Sequence, residues 1–333
     1  MSFKSRILNE KKEQVYAFYQ RINKKREPYD KITRNDIYHN IISLYKRDPE
    51  IITRLCTMEE INILRKLLDG SIKKQENGYI DYLLFQDLKD NYLIVLENNE
   101  YSIPDDLLNY IKMALNLLDE KTFSITDVTD SVILGLSRIY NCLETSIFIE
   151  TLKNYYINYE IPNLKDYIEN NPKLNNKLKI IRYKKKEYIT SLESPYYKDV
   201  LELRKNFKQK EYTLESVISI GKYKINLFQE ELFQFLNFLE IHLNPESIDL
   251  FLNDLIFYAG FDINSENLLL QICDGIKELF NETLKVIPLL PAWIYNGNNL
   301  HTLKENIILP NKNESCICGS GKKFKNCCEK LFK

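Results

Sequence analysis

Apolar residues recur at three- and four-residue spacing along nearly the whole chain, the period of helices that bury one face. Between Lys4 and Lys25, Ile7, Leu8, Val15, Phe18, Tyr19 and Ile22 predict one amphipathic helix, which Pro28 ends. Ile37, Ile41, Leu44 and Tyr45 predict a second, after which Asp48-Pro49 offers an N-cap with proline at the first helical position. Thr57, with Glu60 three residues on, reads as a capping box for a helix through Ile61, Leu64, Leu67 and Leu68 that Gly70 closes. A further helix over Tyr79 to Asp90 leads to Tyr92 to Leu96 and Glu100 to Ile103, a short hairpin around Glu97-Asn98-Asn99. Pro104, Asp105 and Asp106 then open the next helix.

The order of helices followed by a small hairpin repeats. Asp127 to Tyr140, Thr145 to Tyr156 and Asn163 to Glu169 read as helices, and Leu178 to Tyr183 returns through Lys184, Lys185 and Lys186 to Glu187 to Thr190. From Pro195 the signal is purely helical. Phe228, Leu232, Leu236, Leu239 and Leu243 mark one face, Asn244-Pro245 caps a helix through Ile248 to Ala259, and Leu269, Ile272, Ile276, Leu279 and Phe280 predict one more. Phe228, Phe233, Phe235 and Phe238 read as core, and Trp293, the single tryptophan, as a buried anchor in the Pro291 to Gly297 loop. The expected fold is mainly α, with two short winged-helix-like hairpins and a small C-terminal knuckle. The expected domains are a helical, winged-helix-like unit at 1–124, a second with a basic hairpin at 125–194, a helical bundle at 195–300, a linker at 301–314 and the knuckle at 315–333.

Composition excludes several classes. Hydrophobic residues at 44% argue against disorder, and 46 Lys and Arg against 47 Asp and Glu leave a net charge of −1, so no global polycation serves nucleic acid or membrane. Met1 to Gln14 is charged and lacks an apolar signal core, and no run of about eighteen apolar residues occurs. A cytoplasmic address and no membrane insertion are expected. Richness in Lys, Asn, Ile and Tyr points to a low-GC bacterial coding bias.

Chemistry concentrates at the end of the chain. Cys316, Cys318, Cys327 and Cys328 stand as C-x-C and C-C, eight residues apart, with Gly319 and Gly321 where the chain must turn back. Four thiolates can close a tetrahedral zinc shell at about 2.3 Å per bond and leave no open position for catalysis. Bridges between near neighbours would be strained, although crossed disulfides or loose thiols stay open as readings. One structural zinc is the expectation, in keeping with a reducing compartment.

The run Cys316-Ile-Cys318-Gly-Ser-Gly-Lys-Lys-Phe-Lys-Asn-Cys327-Cys328 is similar to the SEC-C motif, first known from the SecA preprotein translocase ATPase and found at the ends of many otherwise unrelated bacterial proteins. Ile317 stands where that family often has proline. The resemblance implies zinc at the four cysteines and, by extension from the translocase, contact with an acidic protein or the ribosome. It covers about twenty residues and says little of the rest. The Pro291 to Gly297 passage and the turn near Tyr140 also resemble uncharacterised proteins of low-GC bacteria, with no activity attached.

Candidate macromolecule contacts are Lys322, Lys323 and Lys325 around Phe324, and Lys184, Lys185 and Lys186 with Tyr183 and Tyr188 interleaved. From Asn311 to Lys333 six lysines oppose two glutamates, a side-chain charge of +4 that four thiolates and a zinc ion reduce to +2. Such a module adheres weakly and salt-sensitively. The helices ahead of the hairpins carry Asp81, Asp87 and Asp90, and Asp166 and Glu169, which would repel phosphate.

No catalytic pattern stands out. Gly319 to Lys322 fails the phosphate-loop rule at Cys316 and Lys323, while His39, His242 and His301 are single and far apart. Cys56, Cys142 and Cys273 lie in apolar segments and read as core. The expectation is a non-enzymatic adaptor that contacts another protein or the ribosome, with a nucleic-acid-binding regulator as the alternative and no small-molecule substrate evident.

Overall fold

A computed structural model describes the chain apart from residues 24–26, 71, 75–77, 156–160, 162, 193–195, 264, 301, 303–307, 309, 315–321 and 327–333. The protein is mainly helical, with two small three-stranded antiparallel sheets. Residue contacts divide it into two units: residues 1–134, 149–180 and 244–246 form the first, and 135–148, 181–243 and 247–333 the second.

The first unit begins with α1 (Phe3–Asn9) and α2 (Lys12–Ile22), where one continuous helix was expected. Glu10 and Lys11 are extended, and the Arg34 guanidinium donates to the Glu10 carbonyl at 2.7 Å, which holds the break open. The break lets Phe3 and Ile7 bury separately from Val15, Phe18, Tyr19 and Ile22. Next come α3 (Arg34–Arg47), α4 (Glu50–Arg54) and α5 (Met58–Asp69). The periodicity of α3 is realised in full, since Ile37, Ile41, Leu44 and Tyr45 are all buried. Thr57 and Glu60 form the expected capping box, and Gly70 closes α5.

Strand β1 (Ile72–Lys73), helix α6 (Tyr79–Asp90) and strands β2 (Val95–Glu97) and β3 (Glu100–Ser102) follow, in the sheet order β1-β3-β2. Asn98 and Asn99 make the turn with φ of 51° and 65°, a left-handed pair that asparagine tolerates well. Asp105 and Asp106 do not open α7 (Leu108–Asn116). Asp106 instead accepts from the Phe3 and Lys4 amides at 2.7 and 2.9 Å, so it caps α1 from across the unit.

The chain continues through α8 (Glu120–Tyr140), β4 (Cys142–Glu144), α9 (Thr145–Tyr155), α10 (Leu164–Asn170), β5 (Leu178–Tyr183) and β6 (Lys186–Ser191). Helix α8 starts seven residues earlier than its apolar pattern suggests. The second hairpin forms as expected and gains β4, in the order β4-β6-β5, with Cys142 opposite Thr190 and Glu144 opposite Tyr188. At three residues β4 is too short to announce itself by alternation.

In the second unit α11 (Tyr197–Leu203), α12 (Leu214–Tyr223), α13 (Glu230–His242), α14 (Pro245–Gly260), α15 (Glu266–Ile272) and α16 (Lys277–Val286) complete the helices. The segment predicted as one helix from Leu269 to Phe280 is two, because Asp274 and Gly275 adopt positive φ and turn the chain. The aromatic stripe divides as well: Phe235 is buried, but Phe228 is 69% exposed and precedes α13, and Phe233 is also exposed. Trp293 is buried and donates from Nε1 to the Arg138 carbonyl at 2.7 Å. Its ring fills the space over Gly260, where an added Cβ would lie 2.5 Å from the indole. Gly297 has φ +80°, and a Cβ added there would lie 2.5 Å from the Tyr140 ring, so this position requires glycine on two counts.

Candidate metal centre

Cys316, Cys318, Cys327 and Cys328, with Gly319 and Gly321, lie outside the described residues, as do His301 and much of the expected linker. The described segments of the tail are those that lead into each cysteine pair. The Phe324 amide donates to the Glu314 carbonyl at 2.8 Å, and the Lys325 amide to the Lys312 carbonyl at 3.1 Å. These two bonds clasp 312–314 to 323–325. One arm ends two residues before Cys316 and the other two before Cys327. Glu314 secures its own arm by accepting from the Asn311 amide at 2.9 Å and from the Asn311 side chain at 2.8 Å, which lowers its carboxyl below the usual range. A single turn of 3₁₀ helix, Phe324–Asn326, then carries the chain toward the second pair.

Within this clasp Phe324 is 3% exposed, so its ring anchors the arm instead of offering an apolar contact at the surface. Lys322, Lys323 and Lys325 around it are exposed. All four expected ligands are thiols, the donors that favour zinc. Among the described residues no group of His, Cys, Asp or Glu is arranged to hold a metal ion elsewhere.

The basic hairpin is less available than its sequence suggests. Lys184 pairs with Glu202, which also pairs with Lys205, and Lys186 Nζ lies 2.7 Å from Glu144 Oε2. Hydrogen bonds from Lys184 and Lys205 bring the Glu202 carboxyl down to about 2. Lys185 is exposed at the tip. Lys184 and Lys185 hold φ of 47° and 67°, a left-handed pair that costs lysine about 1–2 kcal/mol per residue.

Sequence reasoning missed a cluster in the first unit. Asp127 and Asp130 lie one helical turn apart on α8, and Lys173, in the turn after α10, places Nζ 3.2 Å from Asp127 Oδ1 and 2.9 Å from Asp130 Oδ2. The side chains are 12%, 4% and 2% exposed in the order Lys173, Asp127, Asp130, so these are buried charges. Tyr167 Oη and Asn171 Nδ2 each donate to Asp130 Oδ1 at 2.7 Å, the Met58 amide donates to Asp127 at 3.2 Å, and Lys173 also donates to the Cys56 carbonyl at 3.1 Å. Burial pulls the Lys173 ammonium down, yet the two carboxylates outweigh it and leave it above the usual lysine range. An i, i+3 pair of acids within an otherwise apolar stripe was the signal available. Its partner is 43 residues from Asp130, beyond the reach of any local pattern.

Cys56, Cys142 and Cys273 are buried free thiols, and burial raises all three, Cys142 to about 11. Raised thiols are poor nucleophiles at neutral pH.

These features define the class: a mainly helical protein with a cysteine-rich C-terminal tail. The SEC-C motif matches residues 313–330, which include all four cysteines and none of α1 to α16. No curated protein and no solved structure matches the chain.

Proposed function

We propose that this is a cytoplasmic, non-enzymatic interaction protein whose tail folds around one structural zinc ion held by Cys316, Cys318, Cys327 and Cys328, and which contacts another protein or the ribosome. The observation that carries the reading is the backbone clasp, which brings the approaches to both cysteine pairs together. Zinc bound by four thiolates contributes folding energy to a segment too short for a core of its own. The exposed lysines at 322, 323 and 325 then lie on a fixed scaffold suited to an acidic partner.

The test is metal analysis of the purified chain, followed by capture of partners with and without residues 311–333. One zinc per chain is expected, with loss of metal in Cys316→Ser and far-ultraviolet helicity retained. Metal below half an equivalent in protein purified under reducing conditions would defeat the zinc assignment, and equal capture by the truncated chain would defeat the role given to the tail.

A second reading has one specific observation behind it. The order α8, β4, α9, α10, β5, β6 with sheet order β4-β6-β5 resembles the helix, strand, two helices and wing of a winged helix, which supports a nucleic-acid-binding regulator. The acid groups tied to Lys184 and Lys186, and Asp166 and Glu169 on α10, weigh against phosphate contact. Salt-titrated binding to DNA and RNA separates the readings. Affinity that falls with salt and with replacement of Lys184, Lys185 and Lys186 favours the regulator.

A further inference from the structure

A cavity of about 500 Å³ opens in the first unit where the last turns of α2, α3 and α10 meet. That volume is within the range of about 300–1,000 Å³ typical of ligand pockets. Its lining carries Arg21, Arg47 and Arg54 against Asp48 and Glu169. Arg54 and Asp48 pair with each other, which leaves two guanidiniums for one acid. That acid, Glu169, is 58% exposed and stands 4.0 Å from Lys165, so water and a second cation already weaken its hold on the cavity.

Among the described residues neither Arg21 nor Arg47 forms an ion pair. Arg21 donates from one terminal nitrogen to the side-chain oxygen of Asn91, a neutral acceptor, while its Nε is buried with none. Gln20 Nε2, from the next residue of the same wall, is a second buried donor without an acceptor. Burial pulls the Arg21 guanidinium below its ordinary value, and Tyr45, Asp87 and Asp90 only partly offset that. A guanidinium drawn out of water without a carboxylate partner favours an anion strongly, and its planar fork suits phosphate oxygens.

Helix C-termini present carbonyls, which would oppose an anion. Asn175 covers two of them here, donating from Nδ2 to the Arg21 carbonyl at 3.1 Å and to the Glu169 carbonyl at 3.4 Å. Asn170 donates in the same way to the Asp166 carbonyl at 2.7 Å. Both amides thereby keep their Oδ1 atoms as acceptors on the cavity lining, suited to hydroxyl donors.

We propose that this cavity binds a small phosphorylated, hydroxyl-bearing molecule, its phosphate held by Arg21 and Arg47 and its hydroxyls by Asn170 and Asn175. Two cations against one exposed acid match a dianion better than a single charge. The site lies in the first unit and shares no residue with the zinc tail.

The test uses the full chain in calorimetric titration at fixed ionic strength, with ribose 5-phosphate, ribose and inorganic phosphate as probes. Saturable binding of ribose 5-phosphate is expected, with ribose at least about tenfold weaker. Arg47 is exposed, so Arg47→Gln removes a charge without disturbing the core, and Arg21→Gln removes the buried one; each is expected to weaken ribose 5-phosphate about tenfold or more. If Arg21→Gln fails to fold, Arg47→Gln decides alone. No saturable binding of either phosphate, ribose bound as tightly as its phosphate, or an affinity for ribose 5-phosphate unchanged in Arg47→Gln would overturn the proposal.

Discussion

Replacing Lys173 with methionine tests the energetics of the buried cluster most directly. Methionine keeps the length and apolar stem of the side chain, so the change removes charge more than packing. Asp127 and Asp130, 4% and 2% exposed, would then share a wall with no cation, where the ammonium had stood 3.2 and 2.9 Å away. Removing one partner from a buried ion pair costs about 3–5 kcal/mol, a large part of the roughly 5–15 kcal/mol that holds a typical domain together. Hydrogen exchange followed by mass spectrometry through a urea series reads this locally, in peptides covering residues 120–134 and 164–175. The expected result is a midpoint lower by about 1–2 M in those peptides.

The pH dependence supplies a second signature. In wild type the raised Lys173 contributes its full stability below the unfolded lysine value of about 10.4, and the contribution is lost as pH rises through the folded value. The Lys173→Met variant lacks this alkaline decline. Adding Asp127→Asn and Asp130→Asn should restore most of the loss. A cost below about 1 kcal/mol would refute this account of the cluster.

Two other outcomes follow from the same physics. Burial, then Asp87, pushes the Glu60 carboxyl up to about 8, so stability is highest below the unfolded value of about 4.3 and falls as pH rises to 8; Glu60→Gln, which keeps the bond to the Thr57 amide, should flatten that slope in urea titrations at pH 5, 7 and 9. Gly260→Ala sets a methyl 2.5 Å from the Trp293 ring and should cost about 1–3 kcal/mol, with a shift in the emission of this single tryptophan; an unaltered spectrum and stability would show that the indole is not fixed against α14.

How far the sequence reached depended on the range of the forces at work. The Thr57 capping box, the asparagine turn and the buried faces of α3 and α5 are set within a few residues, and all were legible. Breaks between α1 and α2 and between α15 and α16 were not, because apolar spacing continues across them while a distant arginine or a left-handed pair interrupts the backbone. The misplaced aspartate shows the same limit: Asp106 has the local look of a helix opener and serves a helix about a hundred residues earlier.

The sequence by itself determined the helical class, both hairpins and the four-thiol tail, since helix periodicity, turn chemistry and ligand spacing are properties of neighbours along the chain. Tertiary structure alone decided that Phe324 turns inward, that Lys184 and Lys186 are paired with acids, and that Asp127, Asp130 and Lys173 meet. Burial and charge pairing depend on what lies opposite a side chain, and that is fixed only when remote segments pack.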